Sequence, residues 1–152
     1  TRGLKNKCPH VHFATNPCRI RYFSKELVVF RQNTLHLLHR QAIVPPRSGS
    51  DLVQHTVKTI LDQGHLSPSA GSRPIYWQYD HAMRLYPLAD AVILADRVDQ
   101  FYENYADCDV INPGPFSKDF SFVVYRPIAE VDTRDQATKS DVEFSQIGEE
   151  DM

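Results

Sequence analysis

Cysteine and histidine side chains, the usual protein ligands of zinc, gather near the start of the chain. Cys8, His10 and His12 stand at alternate positions, and Cys18 follows them. A structural zinc site needs four such groups in tetrahedral geometry. Alternate residues of a strand face the same side but lie about 6 to 7 Å apart, too far for adjacent ligands of one ion unless the chain bends. The spacing therefore favours edge-strand histidines and buried thiols over a zinc site.

A second candidate site combines one imidazole with two carboxylates. His65 follows a predicted helix, and Asp96 and Asp99 follow the apolar run AVILA at 91–95. Imidazole and carboxylate groups that meet in a fold can bind a divalent metal ion. A single loop histidine and an Asp-x-x-Asp spacing are both weak signals, so a solvated end of a core strand remains the alternative reading of these residues.

The sequence carries none of the common short catalytic motifs. It has no glycine-rich phosphate loop, no G-x-S-x-G, and no cysteine or serine with an evident partner base. Residue types alone therefore indicate a mixed α/β domain and do not specify a reaction.

Strands are predicted wherever apolar and polar residues alternate or where a short apolar run stands between turn signals. The first group forms a meander of two or three strands over residues 10–13, 18–22 and 26–30. The second group comprises AVILA, residues 108–112 and residues 120–127. AVILA is apolar throughout, which is typical of a strand covered on both faces.

Two helices are predicted between these groups of strands. Asn33 is the expected N-cap of the first. The second has Ser50 as its predicted cap and Asp51 at the positive end of the helix dipole, repeats apolar residues at helical spacing, and ends at Gly64 in the position that favours positive φ. Residues 75–87 are aromatic-rich; their first half is predicted extended and their second half an irregular turn, with core packing as the expected fate of Trp77.

Charge is distributed unevenly along the chain. Residues 1–47 hold nine lysines and arginines against the single acid Glu26, a net charge of +8. Residues 132–152 hold seven acids against two bases, a net charge of -5. The basic end could meet a phosphate backbone or an acidic protein. A solvated surface is the alternative, because the basic residues do not cluster.

Cysteine usage and hydropathy limit the compartment. Three cysteines at unrelated spacings do not form a disulfide framework and favour a reducing compartment, the cytosol or the nucleus. No apolar run approaches the about 18 to 20 residues that a membrane helix needs, so no membrane partner is predicted.

Four stretches, taken in order, resemble the B-subunit family of DNA polymerase epsilon. They are VHFATNPCRIRYFSKELVVFRQ, HTVKTILDQGHLSP, PIYWQYDHAMRLYPLADAVILADRVDQF and CDVINPGPFSKDFSFVVYRP. The resemblance covers residues 4 to 130, corresponds to the C-terminal part of the family's sequence, and leaves out the acidic tail. Because the chain begins with Thr and the family's earlier motifs would precede it, we expect a fragment of a longer subunit.

The resemblance implies a fold class and a division of the chain. B subunits of replicative polymerases are similar to calcineurin-like metallophosphoesterases, an α/β (α+β) fold built as a two-layer β-sandwich with flanking helices. Residues 1–131 would form the C-terminal part of such a domain. Residues 132–152 would form an acidic tail, whose composition predicts disorder.

The resemblance also implies that phosphoesterase chemistry has been lost. In active members a metal-ligand histidine follows a helix, where His65 lies here, and a Gly-His-x-His element follows a central strand, where ADRVD (95–99) lies here. ADRVD contains no histidine and no glycine, and the guanidinium of Arg97 has no acceptor atom to offer a metal. No catalytic, cofactor-binding or metal-ligating residue and no cofactor is therefore predicted.

The function implied is that of a non-catalytic accessory and scaffolding subunit of DNA polymerase epsilon in nuclear DNA replication. Its main partner would be the zinc-binding C-terminal region of the catalytic subunit. The other polymerase epsilon subunits would be further partners, and direct contact with DNA is left open. The alternative function is a metal-dependent phosphoesterase of weak activity that keeps His65 as a ligand.

Overall fold

A five-stranded mixed sheet organises the chain in the computed structural model, which describes residues 2–44, 46, 51–68, 76–131 and 138–148. Its strands are β1 (Cys18–Tyr22), β2 (Lys25–Phe30), β3 (Ala91–Leu94), β4 (Phe101–Tyr105) and β5 (Cys108–Asn112). Their spatial order is β1-β2-β3-β5-β4. The three central strands are parallel, whereas β1 and β4 pair antiparallel at the two edges. The predicted mixed α/β class is confirmed, and the arrangement is consistent with an α+β phosphoesterase-like fold.

Helices precede, connect and follow these strands. They are α1 (Arg2–Lys7), α2 (Thr34–Gln41), α3 (Leu52–Asp62), a 3-10 helix (Trp77–Met83) and α4 (Phe116–Asp119). The N-cap of α3 is Asp51, whose carboxylate accepts hydrogen bonds from the backbone N–H groups of Val53 and Gln54. The helix ends as predicted, since Gly64 adopts a φ of +59°. Ser50, the predicted cap, lies outside the described residues.

The core lies between the helices and one face of the sheet. The register of the parallel strands places Val28, Val92 and Val110 in one row across the sheet. These three side chains are at most 1% exposed and share one core cluster with Val57 and Ile60 of α3. The apolar run at 91–94 is therefore a central strand, as its composition predicts.

Cys108 belongs to this core and is expected to be chemically inert in the native state. Its thiol is fully buried, and burial, reinforced by the negative charges of Asp109 and Asp90, raises its pKa to about 12. The thiolate is the reactive form of cysteine. Alkylation at pH 8 should therefore modify Cys8 and Cys18 and leave Cys108 unmodified until urea unfolds the chain. Peptide mass spectrometry measures this, and native modification of Cys108 would contradict the packing described here.

A separate antiparallel hairpin closes the described chain. It consists of β6 (Ser121–Val131) and β7 (Thr138–Gln146). The strand β7 contradicts the predicted disorder of the tail over that range. A short alternation explains the difference, because Val142 and Phe144 pair with Tyr125 and Val123 on β6. Residues 132–137 and 149–152 lie outside the described residues, and the domain boundary at residue 131 stays a prediction.

Two other predictions about secondary structure are wrong, and the strand β4 is missed. No strand forms over residues 10–13, where Phe13 is 52% exposed and no strand of the described ranges pairs with the segment. The sequence patterns do not predict β4, which the structure contains. The segment Trp77–Met83 is a 3-10 helix, not an extended strand followed by a turn.

Among the described residues, no helix is long and apolar enough to cross a membrane.

Candidate functional site

The cysteines and histidines near the start of the chain lie neither on an edge strand nor in a zinc site. Cys8, His10 and His12 are exposed, and Cys18 is half-buried at the start of β1. Within the ranges that the structure describes, no group of three or more His, Cys, Asp or Glu side chains could hold a metal ion. The alternate spacing at residues 8–12 therefore does not correspond to a strand or to a ligand cluster.

Asp96, which follows β3, is a buried residue whose carboxylate is hydrogen-bonded to the backbone. It is 4% exposed, and its Oδ2 accepts a hydrogen bond of 3.0 Å from the backbone N–H of Leu35 in the first turn of α2. Its Oδ1 accepts a second bond, of 2.6 Å, from the backbone N–H of Arg97. Asn33, the N-cap residue, makes no side-chain capping bond, so Asp96 supplies that bond from another element. Both carboxylate oxygens of Asp96 are thus occupied by the backbone.

Asn112 at the end of β5 fixes the loop that carries Asp96. It is fully buried, and its Oδ1 accepts a bond of 3.0 Å from the backbone N–H of Asp96. Its Nδ2 donates to the carbonyl oxygens of Val98 and Asp99, at 2.9 and 3.0 Å. All of these side-chain bonds, from Asp96 and from Asn112, serve to position backbone. Residues 96–99 are therefore held in one conformation by β5 and α2.

Asp99 and Arg97 point away from this buried network. The Asp99 side chain is 92% exposed, with the ammonium of Lys118 at 3.8 Å. Arg97 is exposed and lines a cavity of about 530 Å³ at the carboxyl ends of β2 and β3. The two carboxylates that the sequence suggests as a pair thus have opposite environments, one buried and one in solvent, and do not form a joint metal site.

His65 occupies a third environment. Its Nδ1 accepts a hydrogen bond of 3.1 Å from the backbone N–H of Ser67, and its Nε2 lies 3.2 Å from Asp80 Oδ1. The other oxygen of Asp80 accepts from Arg84, and these bonds from Arg84 and His65 hold the pKa of Asp80 below its ordinary value. Both ring nitrogens of His65 already have partners in the fold. The histidine ties the loop after α3 to the 3-10 helix.

A polar cluster that sequence reasoning missed surrounds Asp109 on β5. Its carboxylate is 5% exposed and accepts four side-chain hydrogen bonds, which come from Tyr102 and Asn104 on Oδ1 and from Tyr125 and Ser140 on Oδ2. We call these five residues the Asp109 cluster. It joins β4 and β5 of the main sheet to both strands of the hairpin. The available signal is a single charged residue, Asp109, beside the apolar residues Val110 and Ile111 of the strand CDVIN.

The hydrogen bonds and the burial of the Asp109 cluster shift the pKa values of its members. Burial would raise the pKa of Asp109, but the hydrogen bonds from Ser140, Asn104, Tyr102 and Tyr125 outweigh it and hold the pKa below its ordinary value of 3.8. Burial and the neighbouring carboxylate raise the pKa of Tyr125. Asp109 is therefore ionised and both phenols are neutral donors at pH 7.

Comparison with known proteins places the chain in a family. The model of a family described as the alpha/epsilon B subunit of DNA polymerase matches residues 1–103. The chain belongs to this family. It is 41% identical over 133 residues to the Bos taurus protein named DNA polymerase epsilon subunit 2, covering 86% of this chain. It is 41% identical over 130 residues to the DNA polymerase epsilon B subunit of Arabidopsis thaliana, covering 84% of this chain.

The similarity extends to fungal members of the B-subunit family. The DNA polymerase epsilon B subunit of Saccharomyces cerevisiae is 34% identical over 76% of this chain. The chain spans 25% of the length of the cattle and plant relatives and 22% of the yeast relative. The predicted resemblance to polymerase epsilon B subunits is confirmed, and it holds for about a quarter of each relative's length.

Proposed function

We propose that the chain is part of a non-catalytic accessory subunit of DNA polymerase epsilon that scaffolds the enzyme in the nucleus. The observation that carries the proposal is the environment of Asp96. Where an active phosphoesterase would present metal-binding imidazoles, this chain presents a carboxylate whose two oxygens accept hydrogen bonds from backbone N–H groups of α2 and the loop. At this position Asp96 stabilises the fold through hydrogen bonds to α2 and to its own loop. The family membership supports the same assignment.

The proposed partners are the zinc-binding C-terminal region of the catalytic subunit and the remaining subunits of the complex. Exposed aromatic side chains on the segment around the 3-10 helix support a protein interface, since Trp and Tyr are enriched among residues that dominate binding energy. The exposed fraction is 77% for Tyr76, 73% for Trp77, 63% for Tyr79 and 90% for Tyr86. The expectation that Trp77 packs in the core is wrong. Direct contact of the basic residues 1–47 with DNA is a secondary part of the proposal.

Replacing Trp77 by alanine is expected to weaken binding to the catalytic partner by about 2 kcal/mol, roughly thirtyfold in Kd. The measurement is co-purification of the full-length subunit from cells, followed by titration of the purified partners. Phe116→Ala is the matched control, because Phe116 is another exposed aromatic, 51% exposed, on a different element. Recovery of the subunit without any polymerase catalytic subunit would overturn the proposed function. Unchanged affinity of Trp77→Ala would exclude Trp77 from the interface.

The alternative function, a metal-dependent phosphoesterase, makes a different prediction. Both nitrogens of His65 are engaged within the fold, which disfavours a ligand role for this residue. We expect purified subunit to hydrolyse no generic phosphodiester above background, with or without Mn²⁺. Stoichiometric bound metal together with activity that His65→Ala abolishes would replace the scaffold function by the enzymatic one.

A further inference from the structure

A cavity of about 530 Å³ opens at the carboxyl ends of the parallel strands β2 and β3. Its wall contains Arg31, Gln32 and Asn33 from the segment after β2, and Ala95 and Arg97 from the segment after β3. The remaining residues of the wall are Thr15, Asn16, Cys18 and Val29. The segments that follow two neighbouring parallel strands thus meet at this edge of the sheet.

The charge that the described residues place around this cavity is entirely positive. Arg31 and Arg97 supply two guanidinium groups, and no carboxylate of the described chain lines the wall. Among the described residues, neither guanidinium forms an ion pair or a hydrogen bond. The nearest acid along the chain, Asp96, is 4% exposed and directs both oxygens at backbone N–H groups. Neither arginine is therefore paired with a carboxylate of the described chain.

Neutral donors accompany the two arginines. The side-chain amides of Gln32 and Asn33 make no hydrogen bond within the described residues, although Asn33 is the N-cap residue of α2. Asn16 instead fixes the frame, because its amide donates to the Arg31 carbonyl at 3.0 Å and accepts from the Arg31 N–H at 2.9 Å. Arg31 is thus anchored by its backbone, while its side chain has no partner in the described part of the chain.

We propose that this cavity binds a phosphate group through Arg31 and Arg97, with Asn33 as a neutral donor. Guanidinium groups match the oxygens of phosphate in geometry and charge, and amide N–H groups add donors without charge. The phosphate belongs either to a nucleic-acid strand or to free phosphate, since both present the same oxygens. Among the described residues of the wall, no nucleophile has a base beside it. The proposal is therefore binding of the phosphate group without cleavage of a phosphate ester. The inference rests on the cavity and stands independently of the accessory-subunit function.

Cys18 offers a readout local to the cavity. It lines the wall and is half-buried, whereas Cys8 is exposed and lies outside the wall, so one protein carries both the probe and its control. Because Cys18 lines the wall, we expect a bound phosphate to restrict access of an alkylating reagent to its thiol. The full-length subunit, in the complex from which it is purified, is treated with iodoacetamide at constant ionic strength. Inorganic phosphate and a short single-stranded oligonucleotide are added in separate arms.

We expect either phosphate source to slow alkylation of Cys18 and to leave the rate at Cys8 unchanged. In Arg31→Gln and Arg97→Gln, the phosphate concentration that gives half protection should rise about tenfold or more, because each variant loses a charge-assisted hydrogen bond. Broadening of the ³¹P resonance of inorganic phosphate, measured on the same proteins, reports binding independently of Cys18. Protection by the oligonucleotide alone would assign the site to nucleic acid, and protection by both would assign it to the phosphate group itself.

Arg21→Gln is the matched control, because it removes the same charge from an exposed position three residues beyond Cys18 on β1, about 10 Å along the strand. It should leave protection unchanged. Two results would overturn the proposal: absence of both Cys18 protection and ³¹P broadening, or an equal loss of protection in all three variants. The second result would show a general effect of net charge. All three arginines are exposed, and equal melting temperatures would confirm that the variants fold.

Discussion

Replacing Asp109 by alanine should lower the free energy of unfolding by about 3 kcal/mol. The substitution removes the acceptor of four side-chain donors at once, those of Tyr102, Asn104, Tyr125 and Ser140. An unsatisfied buried donor costs about 1 to 3 kcal/mol, and partial exposure of these donors to water reduces the total. Because two of the donors lie on the hairpin, the loss should be greatest there.

Urea denaturation followed by circular dichroism measures this effect, and hydrogen exchange of the hairpin amides locates it. Asp109→Asn separates charge from hydrogen bonding, since the amide keeps one acceptor and can donate to the hydroxyl of Ser140 or Tyr125; it should cost less than the alanine variant. Asp141→Ala is the control, because Asp141 pairs with Arg126 on the exposed surface of the same hairpin. Equal losses for Asp109→Ala and Asp141→Ala would contradict the structural role of the Asp109 cluster.

The contribution of Asp109 should also depend on pH in one direction. Its pKa is lower in the folded state than its ordinary value of 3.8, so the folded state binds its proton more weakly than the unfolded state does. The stabilisation is therefore present above about pH 4 and is lost as the pH falls further, through the folded pKa. The stability difference between the native protein and Asp109→Asn should shrink over that acidic range.

Local patterns in the sequence predict the centre of the fold well. AVILA contains the buried strand β3, Gly64 ends α3, and β1 and β2 form the first hairpin. These elements are specified by residues close together in the sequence: a continuous apolar run, a glycine with positive φ, and an alternation of apolar and polar residues. Periodicity and capping rules depend on such neighbours.

Strands that form only through pairing with other segments of the chain are not predicted by local sequence patterns. The strand β4 follows the loop 95–100 and is joined to β5 by Ala106 and Asp107, both with positive φ, where a glycine or asparagine would have signalled the turn. The strand β7 lies in an acidic segment and forms because β6 pairs with it. Residues 10–13 alternate well but find no partner strand in the described chain. Alternation is thus insufficient without a partner.

The candidate site shows the same limitation in its side chains. Spacing alone groups Asp96 with Asp99, yet the first is 4% exposed and the second has a side chain that is 92% exposed. The difference arises from Leu35 and Asn112, which lie 61 and 16 residues away and supply the partners of Asp96 and its backbone. No local pattern encodes such contacts. The solvated strand end that the sequence suggests is correct for Asp99 and wrong for the buried Asp96.

Replacing Asn112 by aspartate should cost about 4 kcal/mol at pH 7, more than the about 3 kcal/mol expected for alanine. The carboxylate keeps the acceptor for the N–H of Asp96 but loses both N–H donors, and a buried negative charge then faces the carbonyl oxygens of Val98 and Asp99. Alanine removes the hydrogen bonds without introducing a charge. The larger loss in the isosteric variant would show that donation by Asn112, not its volume, fixes the loop.

The pH dependence of Asn112→Asp provides the decisive measurement. A fully buried carboxylate beside carbonyl oxygens should have a folded pKa above its unfolded value, so its penalty is present at neutral pH and is relieved as the pH falls through the folded pKa. Urea unfolding at pH 7 and pH 5 should therefore show the aspartate variant gaining stability relative to Asn112→Ala. Asn33→Ala serves as the control and should cost less than about 0.5 kcal/mol, since its side chain makes no capping bond. An aspartate variant as stable at pH 7 as the native protein would mean that the loop at 96–99 is held by other contacts.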